Sequence, residues 1–142
     1  MVQKNKRQGK NKGFSLVELI VVMAIMAILV GAIAPQVIRY VERARESRDM
    51  QVESTLLNAF VTAIASEDTT IGDFSVSDIA DNADADFVAV RNDIQEISGF
   101  ATNAAITNAL RSNAGRGTFT FTYTASTGRI SVQLGTLDAI TN

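Results

Sequence analysis

The 142-residue chain has no cysteine, no histidine, no tryptophan and a single proline. Without cysteine there is no disulfide and no thiol nucleophile. Without histidine the ordinary proton shuttle and the commonest transition-metal ligand are both missing. Lysine stops at Lys12, so the rest of the chain offers no lysine for isopeptide cross-links. No Ser-x-x-Lys pair, no glycine loop that would cradle a phosphate and no metal-ligand cluster is present. The expectation is a non-enzyme that needs no cofactor and no metal.

Charge is unevenly distributed. Lys4, Lys6, Arg7, Lys10 and Lys12 lie in the first 13 residues, with no acid among them. From Phe14 onward 8 Arg face 15 Asp and Glu, a net of −7. An acidic body repels a phosphate backbone, so general nucleic-acid binding is not expected.

Residues 14–34 are apolar apart from Ser15, Glu18 and Gly31. As a helix they would run ~31 Å, about one bilayer core, and a soluble helix is rarely apolar all round for so long. The short basic leader marks the cytoplasmic end, by a small margin over Arg39, Arg43, Arg45 and Arg48 beyond the run. A cleaved secretory signal ending at Ala32-Ile33-Ala34 is the alternative. Against it stand a carboxylate inside the apolar region, at a cost of ~2.5–3.5 kcal/mol at mid-bilayer, and the rigid ring of Pro35 beside the would-be cut.

The stretch "KGFSLVEL" (residues 12–19), after its basic leader, resembles the processing motif of type IV prepilins and their pseudopilin relatives. The resemblance covers roughly residues 9–40. It implies cleavage between Gly13 and Phe14 on the cytoplasmic side by a prepilin peptidase, which then N-methylates the new Phe14 amine. It also implies that Glu18 pairs with the amino terminus of a neighbouring subunit and sets the register of assembly. Physical chemistry agrees: after cleavage Glu18 lies one turn from a helix N-terminus, whose partial charge favours an anion, and both buried charges need partners. Pro35 removes an N–H that would bond the carbonyl of Gly31, so a kink or local loosening is expected there. Related subunits lose helix before this proline, but many carry a mid-run glycine where this chain has Ala24 and Ala27.

Beyond the proline the pattern turns amphipathic. Val37, Val41, Ala44, Val52, Leu56, Ala59, Phe60, Ala63 and Ile64 recur at helical spacing. Arg39 with Glu42, Arg43 with Glu46, and Arg45 with Asp49 are placed to pair on an otherwise solvated face. Residues 67–86 read as an acidic, solvated connection; Asp81, Asp84 and Asp86 lack the spacing of a calcium loop. Residues 86–98 and 102–112 read as short helices, the first stopped by Gly99. Phe119, Phe121 and Tyr123, then Ile130, Val132 and Leu134, alternate as a hairpin whose apolar face needs the long helix to pack on.

The expected fold class is α+β. A basic leader (residues 1–13) precedes a membrane and filament-core helix (14–36), the amphipathic half of the same helix (37–66) and a small head (67–142). The resemblance implies a subunit of a type IV pilus-like filament made of copies of itself. Its partners are then the prepilin peptidase and methyltransferase, the pilus assembly platform with minor pilins, and membrane lipid before assembly. It would sit in the cytoplasmic membrane first and at the cell surface afterwards. A pseudopilin of a secretion or DNA-uptake machine remains open, as does a monomeric membrane-anchored or secreted binding protein.

Overall fold

The computed structural model describes residues 13–67, 70–81 and 83–142; the leader up to Lys12 lies outside the described residues. The elements are α1 (Leu16–Ser66), β1 (Phe74–Val76), α2 (Ala85–Ser98), α3 (Asn103–Ala109), β2 (Phe119–Thr124), β3 (Arg129–Leu134) and β4 (Ile140–Thr141). The fold class is α+β. The chain forms two units, Met1–Ile38 and Arg39–Asn142, whose boundary falls within α1.

In the first unit the apolar side chains are bare. Among the described residues one helix is long and apolar enough to cross a membrane, and none of its most apolar stretch is buried. Leu16, Met23, Ile28 and Val30 are all more than 60 % exposed. Pro35 lies inside α1, which continues on both sides of it.

In the second unit α1 buries Leu56, Ala59, Phe60 and Ala63. The spacing of these residues, three or four positions, puts them on one face. Opposite lies an antiparallel sheet of order β1-β2-β3-β4. Phe121 pairs with Val132, and Tyr123 with Ile130. The threonines alternating with the aromatics in β2 face the other side, the period-two consequence of the pleat. Phe60 is the hub of the core: its ring stacks on Phe121 at 5.2 Å and on Phe87 of α2 at 6.1 Å, and lies 6.4 Å from Phe74. Aromatic pairs at these separations add ~0.5–1.5 kcal/mol each beyond their burial. The hairpin therefore packs on the long helix, and the aromatic stripe is core.

Three sequence expectations are corrected here. The 67–86 connection is more than a solvated loop: it contains β1, which pairs Phe74 with Tyr123 and Val76 with Phe121. Ile71, Phe74, Val76 and Ile79 are buried there, single apolar residues too widely spaced to show a period. Its aspartates shape backbone: Asp84 accepts the Phe87 N–H to cap α2, and Asp86 accepts the Gly72 N–H at 3.0 Å.

The second helix of the head is shorter than residues 102–112. α3 ends at Ala109, although Ile106 and Leu110 are buried as the pattern requires. The cause is Asp49, whose carboxylate accepts the N–H groups of Arg111 at 2.8 Å and Ser112 at 2.7 Å, turning them away from a helical ladder.

Asp49 also corrects the row of charges on α1. It is fully buried, so the expected Arg45–Asp49 pair is replaced by Arg45–Glu42 at 3.3 Å. The apolar stripe, moreover, is not covered from its start. Val37 and Val41 are 50 % and 43 % exposed, and burial of this helix face begins at Asp49.

Candidate functional site

The start of α1 collects the residues singled out for processing and assembly. Gly13, Phe14 and Ser15 precede the helix, and Phe14 is 86 % exposed. A Cβ added at Gly13 would meet no atom within 4 Å. Among the described residues, then, nothing crowds this position.

Ser15 and Glu18 together cap the helix start. Ser15 Oγ accepts the Val17 N–H at 3.2 Å, and Glu18 Oε2 accepts the Ser15 N–H at 2.8 Å. The Leu19 N–H donates to the Ser15 carbonyl at 3.3 Å, closing the first turn. This is a variant of the Ser-x-x-Glu capping box: Glu18 reaches back to the Ser15 N–H as in the box, while the serine hydroxyl takes the N–H of Val17 rather than that of Glu18, so two orphan N–H groups of the helix start are satisfied. The Ser-x-x-Glu spacing is legible in "SLVE". The carboxylate in the apolar run is thus supplied with a donor within its own chain, at the end where the helix dipole favours an anion.

The other sequence-selected positions lie apart from this cap. Gly31 and Pro35 fall three to five turns further along α1 by ~3.6 residues per turn. A Cβ at Gly31 would also meet nothing within 4 Å. Asp81, Asp84 and Asp86 serve loop and helix-start geometry, and no group of three or more metal-ligating side chains occurs among the described residues. Sequence reading missed three buried polar residues on or against α1, namely Asp49, Glu53 and Ser112. An acid four residues from another acid on an amphipathic helix carries no sign of which face it will occupy.

The prokaryotic N-terminal methylation motif matches residues 8–34. No curated protein and no solved structure matches the chain. The exposed Gly13-Phe14 junction, the capped Glu18 and the bare apolar helix all lie within or beside the matched segment. The match therefore shows the motif itself: residues 8–34 carry a prokaryotic N-terminal methylation signal, in line with the resemblance to type IV prepilins and pseudopilins.

Proposed function

We propose that this chain is the structural subunit of a type IV pilus-like filament. Prepilin peptidase cuts it between Gly13 and Phe14, and the freed Phe14 amine is methylated. Residues 14–36 anchor the subunit in the cytoplasmic membrane until assembly and then form the filament core, while residues 37–66 and the head 67–142 lie outside. Gly31 and Pro35 give the core helix a place to loosen when copies pack. The observation that carries this reading is the wholly unburied apolar start of α1 behind a methylation motif. Repacking that surface among copies removes it from water at ~25 cal/mol per Å² of apolar area.

Glu18 then has two successive roles. In the single subunit its carboxylate rests on the Ser15 N–H. In the filament it takes the Phe14 ammonium of a neighbour staggered by about one turn, ~6 Å along the axis. A charge-assisted bond is roughly twice as strong as a neutral one and excludes other registers, because an unmatched buried charge is costly.

Replacing Glu18 by Ala or Val tests this directly. Membrane insertion and cleavage persist, since the apolar run and the Gly13-Phe14 junction are intact, while filament yield collapses. Filaments at the parental level from Glu18→Ala would refute the pairing. Imaging of cells for long fibres containing this chain separates a pilus subunit from a pseudopilin.

A further inference from the structure

Glu53 lies one turn beyond Asp49 on α1 and is fully buried. Its Oε1 accepts the Leu134 N–H at 3.0 Å, while Oε2 has no hydrogen-bond partner. Asp49, by contrast, is saturated: Oδ1 takes the Arg111 N–H, and Oδ2 takes both the N–H and the hydroxyl of Ser112. The two segments these acids hold are laced to each other. The Thr136 N–H donates to the Ala114 carbonyl at 2.8 Å and the Gly135 N–H to that of Thr118 at 3.1 Å, while the Gly115 N–H donates to Ser112 Oγ at 2.9 Å. Residues 111–118 and 134–137 are therefore one lid, hung on α1 by two acids at i and i+4.

We propose that Glu53 is a proton-binding site that latches this lid: the protonated carboxyl keeps it closed on α1, and loss of the proton opens it so that water can reach the carboxylate. A neutral acid tolerates a dry site with one donor, whereas a carboxylate with an unsolvated oxygen does not. Burial pushes the Glu53 carboxyl up to about 7, against the downward pull of the Leu134 N–H and with the help of the Asp138 charge. Asp138, just after the lid, is the charge that acts on Glu53; Asp49 stands one turn before it on α1 under the influence of Arg48, and Arg111 and Arg116 are the charged residues of the lid. Both lid arginines are exposed. Burial also acts to raise Asp49, but the Ser112 hydroxyl, the two N–H donors and Arg48 outweigh it and leave that carboxyl below its ordinary range. Asp49 thus stays ionised where Glu53 titrates, and one acid clamps while the other switches.

The sign follows from linkage. The open lid gives Glu53 its ordinary value of 4.5 and the closed lid about 7. Closure is complete below the first value and is weakened as pH rises toward the second, about tenfold per pH unit. Above about 7 the opening constant levels off, having risen by about two to three powers of ten.

Amide hydrogen exchange on the full chain in detergent micelles, corrected for the intrinsic pH dependence of exchange, reads the opening. Protection of the Thr136 and Gly115 N–H groups should fall about tenfold per unit from pH 4.5 to 7 and then flatten. Glu53→Gln should remove that slope. Equal slopes in the two proteins, or constant protection in the parent, would overturn the latch. Should Glu53→Gln fail to fold, the carboxyl carbon-13 shift of Glu53 in the parent decides. A midpoint near 7 that tracks the amide opening supports the latch, and one near 4.5 removes it.

Discussion

Asp49 and Ser112 meet across 63 positions of sequence through two hydrogen bonds, 2.7 Å from the Ser112 N–H and 2.6 Å from its hydroxyl. Both residues are fully buried. The contact ends α3, fixes the following loop on α1 and commits a carboxylate to a dry site. The head is thereby joined to its helix by polar geometry as well as by the Phe60 cluster.

The acid limb of stability should follow Asp49. Its carboxyl lies below the ordinary range in the folded chain, so it adds stability above its unfolded value of 3.8. That contribution is lost as pH falls through the lower, folded value. Thermal melts of the full chain in micelles, followed by near-ultraviolet circular dichroism, should show the loss in the parent. Asp49→Asn should be weaker at pH 6 by about 1–3 kcal/mol, because the donors of Arg111 and Ser112 lose a charged acceptor. It should also show a flatter acid limb. An unchanged acid limb in Asp49→Asn would contradict the assignment.

Phe60 should be the costliest single truncation on α1. Its ring touches partners from β1, α2 and β2, and Phe60→Ala leaves a cavity none of them can fill alone. The expected loss is about 3–5 kcal/mol, measured by chemical denaturation of the head signal. Val37→Ala, at a half-exposed position, should leave the same transition within about 0.5 kcal/mol.

Two glycines with left-handed backbones should differ sharply. Gly99 ends α2 at φ 74°, and a Cβ there would meet open space; Gly99→Ala should cost about 1–2 kcal/mol from backbone strain alone. Gly135, at φ 62°, has the carbonyl oxygens of Ala114 and Arg116 where a Cβ would go. Gly135→Ala must add displacement of the lid to that strain, so its melting temperature should fall well below that of Gly99→Ala. Equal melting temperatures would show that the lid yields freely.

The elements with a sustained period were readable from sequence: the apolar run, the amphipathic turns from Val52 onward, α2 with its Gly99 stop, and the β2–β3 hairpin. β1 and β4 were not, since strands of three and two residues are shorter than any alternation that marks them. The end of α3 and the buried states of Asp49 and Glu53 depend on partners 62 to 81 positions away, which local pattern does not encode. At the candidate site Gly13, Phe14 and Glu18 stood out because a basic leader, an apolar run and one acid coincide. The Ser15–Glu18 cap is equally legible, from the Ser-x-x-Glu spacing.

The central claim is that the leader is removed and the apolar helix retained. The mass of the N-terminal peptide of this chain, isolated from the membranes of the cells that produce it, tests that claim most directly. The account predicts a chain that begins at Phe14 and bears one methyl group on its amine. A chain that begins at Met1 or at Pro35 would contradict it.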